Sequence, residues 1–337
     1  MKIHHDSIRS GAALMGVHLD DNETVQFARS LEEVNQQVFE VLYPELRALR
    51  FLPVNGKVDP GASFYTWMMM DKFGRAMAIE DFAADFPDIE VQAGQVTTPI
   101  KSYGDSYKYS VQELRAVAKA RAMGLGYVDL DVARAKAARE ACARELDTVI
   151  ALGDSKYSIP GFLTNPLVPK VTIADDVLTG HWAAYYAAHP DTGGMKILQD
   201  LLILENYCWN KTKELEASTT MLLPTSLFKL IATTPISQLN PLNTILTVFK
   251  ASAQHVREVE SWPYLEAAGT GDDSLKPRIV TYKRDPSRIE AVVPIEFAQQ
   301  PPQPRNMAWK VNCETRTGGT VIRYPYSVCY CDICGPA

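Results

Sequence analysis

Residues 129–153 read DLDVARAKAAREACARELDTVIALG, the stretch of highest helix propensity in the chain. Alanine has no side-chain freedom to lose in a helix, and Arg, Lys, Glu and Leu lose little. The stretch predicts one helix over Leu130–Leu152, started at Asp129 and stopped by Gly153. At 1.5 Å per residue it is roughly 35 Å long. Ala135, Ala138 and Cys142, followed by Val149, share a face of small side chains that lets other elements approach closely. Asp129 and Asp131 stand where a helix start favours negative charge, and Glu140 and Glu145 fall on a solvated face, so neither pair reads as an acid/base couple.

Upstream, Ser110-Val-Gln-Glu113 has the form of a capping box, in which hydroxyl and carboxylate each satisfy an unpaired backbone N–H, and the helix it opens is expected to end near Gly124. Before it, residues 96–109 read as a strand with Tyr103, Tyr107 and Tyr109 on one face. The turn Asp59-Pro60-Gly61 introduces a second, aromatic-rich strand over 62–70. Between the two, 72–90 mixes charges, alanines, Gly74 and Pro87 without a sustained period, as expected of a long hairpin with an irregular tip. Further back, Phe27, Leu31, Val34, Val38 and Val41 recur at steps of four and three behind the capping candidates Asp20, Asp21 and Asn22, and Tyr43-Pro44 ends that helix. Residues 1–20 read as an arm.

Downstream the chain mixes both periodicities, which makes the class α+β. An amphipathic helix is expected over 195–214, a buried strand over 219–223, and a helix start at Asn240-Pro241, a cap followed by proline in the first turn. Short strands then dominate: 278–283 and 289–297 flank the turn Arg284-Asp285-Pro286, and 309–314 and 320–324 flank Thr317-Gly318-Gly319. No internal repeat is present, and 300–304 is the one proline-rich segment.

The 337 residues carry a net charge of -6 and 46% hydrophobic residues, enough to bury a core and the wrong sign for a surface that grips phosphates. No apolar run reaches the eighteen or so residues of a membrane-spanning helix. The apolar stretch 11–17, between His5, Asp6, Arg9 and His18, Asp20, Asp21, suits a signal peptide poorly. Signatures of common enzymes are missing: no Gly-rich dinucleotide or phosphate loop, no Gly-x-Ser-x-Gly elbow, no His-Glu-x-x-His. The six histidines are scattered, and Gly269-Thr-Gly271-Asp-Asp273 reads as a surface loop. Six sparse cysteines point to folding in a reducing compartment. Cys329-x-Cys331-x-x-Cys334, completed by Cys313, is the one constellation with metal-like spacing. Its terminal position and the lack of a second Cys-x-x-Cys pair favour unpaired or interchain thiols, replaceable by Ser, so no metal and no cofactor is expected.

The order of these elements resembles, piece by piece, the Hong Kong 97-like capsid subunit. More narrowly, Val41-Leu-Tyr-Pro-Glu-Leu46, Tyr107-Lys-Tyr-Ser-Val-Gln-Glu-Leu114, Gly153-Asp154 with Ile159-Pro-Gly-Phe-Leu-Thr-Asn165, and Glu314-Thr-Arg-Thr-Gly-Gly319 resemble a phage and prophage group of tailed-bacteriophage major capsid proteins, formerly a domain of unknown function. Several segments in the right order make the match specific over about residues 25–328. The resemblance implies an N-terminal arm with a helix over 1–52, an extended hairpin loop over 53–98, a peripheral domain over 99–164 with a spine helix at 130–152, an axial domain over 165–275 and further peripheral strands over 276–328. A Cys-rich tail at 329–337 falls outside it.

It also implies a subunit without catalysis that assembles with itself into pentamers and hexamers of an icosahedral or prolate head around double-stranded DNA, held non-specifically. Decoration, scaffold and portal proteins are the implied further partners, with assembly in the bacterial host cytoplasm and the virion shell as destination. On that reading the expected interface residues are Phe27, Leu31 and Val38 on the arm helix, Phe64, Tyr65 and Trp67 on the rising strand, and Lys72, Arg75, Asp81 and Asp85 toward the hairpin tip. The alternatives are an encapsulin-like cellular nanocompartment shell and, from another class, a cytosolic enzyme of unrecognised type.

Overall fold

The computed structural model describes residues 45–73, 90–122, 130–171, 182–237, 240–271 and 274–332. In chain order the first elements are helix α1 (Ala48–Phe51), strands β1 (Val54–Asn55), β2 (Phe64–Phe73), β3 (Glu90–Pro99) and β4 (Lys101–Ser110), and helices α2 (Val111–Ala122) and α3 (Leu130–Leu152). There follow β5 (Gly153–Asp154), β6 (Ile159–Pro160), β7 (Lys170–Val171), α4 (Trp182–Ala188), α5 (Gly193–Lys211), β8 (Thr220–Leu223), α6 (Thr225–Thr233), β9 (Pro235–Ser237), β10 (Asn240–Thr244) and α7 (Ile245–Ser252). The last part is mostly strand, with short 3-10 turns at Pro263–Glu266 and Pro325–Ser327: β11 (Glu258–Ser261), β12 (Gly269–Gly271), β13 (Ser274–Lys276), β14 (Arg278–Tyr282), β15 (Ile289–Val292), β16 (Ile295–Gln299), β17 (Gln303–Arg305), β18 (Ala308–Thr317), β19 (Gly319–Ile322) and β20 (Val328–Asp332).

The chain divides into two compact units, 1–44 with 114–130, and 45–113 with 131–337. Of the first, only 114–122 and Leu130 are described, all of them helical. The predicted arm helix with Phe27, Leu31 and Val38, the helix end near Gly124 and the central hairpin tip with Arg75, Asp81 and Asp85 lie outside the described residues.

The second unit is built around a five-stranded sheet ordered β11-β8-β14-β20-β7. Its central strands are buried on both faces. Leu222, Val280, Tyr282, Val328 and Tyr330 face one core, shared with Phe51, Leu146, Ile150, Phe162 and Trp262. Met221, Leu223, Ile279, Cys329 and Cys331 face the other, under the Ile197, Leu201, Leu204 and Cys208 stripe of α5. Aromatic edges lock the first core: Phe51 meets Trp262 at 5.3 Å and Phe162 meets Tyr282 at 5.1 Å. The buried Tyr282 and Tyr330 hydroxyls donate to the carbonyls of Phe51 and Phe162. Arg278, itself 2% exposed, forks onto Asp332 through Nε (2.5 Å) and Nη2 (2.8 Å) and lies over the Tyr330 ring.

Helix α3 has the predicted bounds. Its small-residue face, Ala138 and Cys142, packs on Val311 and Cys313 of β18, which also pairs with β4 along ten residues. The capping box forms as expected, with Ser110 N–H donating to Glu113 (2.9 Å) and Glu113 N–H to Ser110 Oγ (3.1 Å). Arg134 of α3 then forks onto the same carboxylate at 3.0 Å through both nitrogens. Two glycines explain the Ile159-Pro-Gly segment. A Cβ on Gly161 would lie 2.2 Å from the Leu152 carbonyl carbon, and one on Gly319, at φ +73°, would lie 2.5 Å from Pro160 O. Their bare backbones let α3, β6 and β19 meet, and Phe162 N–H bonds Ile150 O at 2.9 Å.

Several sequence expectations are corrected. The strand expected over 96–109 is two: β3 pairs with β2, β4 pairs with β18, and the chain changes partner at Ile100, just past Pro99, which has no N–H to donate. Asn240-Pro241 opens strand β10 rather than a helix; α7 starts at Ile245, capped by Thr244 accepting from Thr247 N–H. The strands that flank 284–286 and 317–319 do not pair across those turns: β14 pairs with β8 and β20, β15 with β19, and β18 with β4, β16 and β17. Gly269–Gly271, expected in a loose loop, pairs with β13. Finally, the first four residues of the expected 329–337 tail, 329–332, belong to β20, an inner strand of the main sheet.

Candidate assembly surface

Strands β2 and β3 form a two-stranded ribbon of ten register pairs, from Phe64 opposite Pro99 to Phe73 opposite Glu90. At strand rise it extends about 30 Å. Directly opposed residues share a face, so one side carries Phe64, Thr66, Met68, Met70 and Lys72 with Pro99, Thr97, Gln95, Ala93 and Val91. The other carries Tyr65, Trp67, Met69, Asp71 and Phe73 with Thr98, Val96, Gly94, Gln92 and Glu90.

Only the base of this ribbon is packed. Tyr65 and Trp67 lie on a small core of Ile100, Val292 and Val321. Tyr65 donates to Glu290 Oε1 at 2.7 Å, Arg323 pairs with the same carboxylate, and Arg323 Nη2 reaches the Tyr65 oxygen at 3.1 Å. Burial and the Glu290 carboxylate push the Tyr65 hydroxyl above its ordinary pKa, so it stays a donor. Arg316 fixes the preceding turn through the Pro60 and Ala62 carbonyls. Beyond Trp67 the ribbon is exposed: Met68 is 79% exposed, Met70 67% and Val91 56%, and Phe64, on the same face at the base, 64%.

The expected interface residues therefore separate. Phe64 and Lys72 are exposed, whereas Tyr65 and Trp67 turn inward and anchor the ribbon. Val91 and Ala93 of the return strand share the face of Phe64, and Val96 lies on the other; Gln92, Gly94 and Gln95 between them hide this pattern in the sequence.

Among the described residues the candidate cysteine ligands do not converge. Cys313 packs against Cys142 under α3, in a different core from Cys329 and Cys331, which lie under α5; Cys334 is outside the described residues. Among the described residues no group of three ligand-type side chains stands ready for a metal. The sulfur of Cys208 and then burial push the Cys329 thiol up, and burial, then Asp332 and Asp200, push Cys331 up to about 12. Thiols held protonated are poor ligands. Their burial also corrects the expectation of interchain thiols for Cys329 and Cys331. Among the described residues, no helix is long and apolar enough to cross a membrane.

A five-stranded sheet packed on one face by α5 with α4, α6 and α7, a long helix over a second sheet and a ribbon beside them make up an architecture of the Hong Kong 97-like fold. The capsid of Myoviridae phage XM1 has this fold, with TM-score 0.75 at 15% identity over 93% of this chain and 99% of that one. The capsid of an empty GTA particle matches at TM-score 0.56, 12% identity, over 94% and 100% of the two chains, and Mycobacterium phage Ogopogo at 0.56, 10%, over 92% and 99%. No curated protein matches the sequence. The family profile described as major capsid protein matches residues 74–333, and the chain belongs to that family.

Proposed function

We propose that this major capsid protein assembles with itself into pentameric and hexameric capsomers of a tailed-phage head that encloses double-stranded DNA, without catalytic activity of its own. The observation that carries this reading is the ribbon, whose Phe64, Met68, Met70 and Val91 are large apolar side chains more than half exposed on one face. A two-stranded ribbon is marginal alone in water, and its apolar face is stabilised by covering it with a neighbouring copy. On this reading the ribbon is the extended loop, α3 the spine helix of a peripheral domain, and the α5 layer over the five-stranded sheet part of an axial domain. The net charge of -6 suits a wall that contains DNA without gripping it, since many Lys-phosphate contacts would make binding tight and salt-sensitive. Assembly takes place in the host cytoplasm, with scaffold, portal or decoration proteins as further partners.

Purified protein, alone or with phage partners, is expected to give capsomers or shells by size-exclusion chromatography and negative-stain microscopy. A stable monomer or dimer under all assembly conditions contradicts the proposal.

A further inference from the structure

Helix α5 and strand β20 each place a cysteine in the layer between them. Cys208 belongs to the buried stripe of α5 and Cys329 to the sheet face beneath it, in one core and each 1% exposed. Both are free thiols, and they are hydrogen-bonded to each other, Cys329 donating to the Cys208 sulfur. Ser218, just before β8, lies against Cys208; its hydroxyl is fully buried and has no other partner among the described residues. A buried donor left unpaired is costly, and that cost is relieved when the sulfur beside it carries negative charge.

The pair is asymmetric. The Cys329 thiol holds the Cys208 sulfur below its ordinary pKa, against burial, and Ser218 acts in the same direction, against Glu216. The Cys208 sulfur and then burial push Cys329 up. One sulfur is therefore the nucleophile while the other keeps the proton. Cys142 of α3 and Cys313 of β18 also share a core, but burial and then Asp105 push Cys142 up, and burial, Cys142 and Asp105 push Cys313 up, so neither is activated.

We propose that Cys208 and Cys329 are a redox-active dithiol that hydrogen peroxide converts to a disulfide joining helix α5 to strand β20. The Cys208 sulfur attacks one peroxide oxygen, the O–O bond breaks and hydroxide leaves, which puts a sulfenic acid on Cys208. The Cys329 sulfur then attacks the Cys208 sulfur, the S–O bond breaks and a second hydroxide leaves. The two hydroxides take up the two thiol protons, so two thiols and one peroxide give one disulfide and two waters. Because both sulfurs are buried, the oxidant has to be small and uncharged and enters on local opening of the layer. In a reducing compartment the pair stays as thiols; in oxidising surroundings it closes and fixes α5 on the sheet. That the closure follows release of a finished shell rests on the assembly reading above, whereas the chemistry of the pair does not.

The test treats the full-length protein with hydrogen peroxide, alkylates the remaining thiols after denaturation and maps the peptides by mass spectrometry. The expected product links the Cys208 and Cys329 peptides, two hydrogens lighter than their sum, with Cys142 and Cys313 still alkylated and the link removed by dithiothreitol. Closing a loop of roughly 120 residues should raise the thermal midpoint by about 5 °C. Cys208→Ala should leave Cys329 alkylated and abolish the rise; if that variant does not fold, the peptide map of the parent decides. Cys208 and Cys329 both alkylated after oxidation, or both carried to sulfinic acid without a link, overturn the proposal. A link without a rise in the midpoint overturns the fixing of α5 and leaves the redox pair. A link in protein that never assembles contradicts the shell and leaves the pair, whereas closed particles that give no link contradict the pair alone.

Discussion

The ribbon β2-β3 and the strand β20 are both rich in apolar residues, yet they use them in opposite ways. Val328–Cys331 of β20 are buried, two residues facing each core of the same subunit, so their apolar area is spent on folding. On β2, Phe64, Met68 and Met70 are left in solvent, on a strand whose Tyr65 and Trp67 are tied to the body. Hydrophobicity alone does not distinguish core from contact surface; what decides is whether the opposite side of the layer is occupied from within the chain.

The same substitution placed in each region should have opposite readouts. Val280→Asp puts a charge between Leu222 and Tyr330 in the middle of the five-stranded sheet and should cost more than about 4 kcal/mol, giving insoluble or unfolded protein. Met70→Asp changes an exposed position and should shift stability by no more than about 0.5 kcal/mol while lowering particle yield. Urea melts of both, with particle counts for the second, check the contrast; a strongly destabilised Met70→Asp would place that side chain in the subunit core.

A smaller effect is expected at Cys329. Serine there buries a hydroxyl beside Cys208 in an apolar layer and should lower stability by about 1–3 kcal/mol in a urea titration. An unchanged midpoint would restore the sequence expectation of a dispensable tail.

The smallest effect is the pH dependence of the α2 capping box. Arg134, then the Ser110 amide, lower the Glu113 carboxyl from its ordinary 4.5 to about 2. Because the folded value is depressed, the contribution is complete above 4.5 and is lost as pH falls toward 2. The thermal midpoint of Glu113→Gln should lie below that of the parent at neutral pH, and the two should converge near pH 2. A gap that persists at that pH would show that the carboxylate is not the source.

What was legible in the sequence was local chemistry. Leu130–Leu152 and the Ser110/Glu113 box depend on residues a few positions apart, and both form as read. Strand partnership was not legible: β4 pairs with β18 some two hundred residues on, and the break at Ile100 follows from that pairing. Cys329–Asp332 of strand β20 reads as part of a tail because a strand buried on both faces has no alternation to betray it. Phe64 and Lys72 were read as surface, while Tyr65 and Trp67 were grouped with them because the sequence does not say which face of the ribbon meets the body.

The central claim is that the ribbon's order and apolar face serve contact between copies. Replacing residues 69–94 by Asn-Gly joins the register pair Met68 and Gln95 through a two-residue turn and leaves Tyr65, Trp67, Val96 and Thr98 in place. Thermal unfolding of this variant, followed by microscopy under assembly conditions, measures folding and closure separately. A cooperative transition near that of the parent, together with failure to close shells, is the predicted result. Normal shells, or insoluble protein, would contradict it.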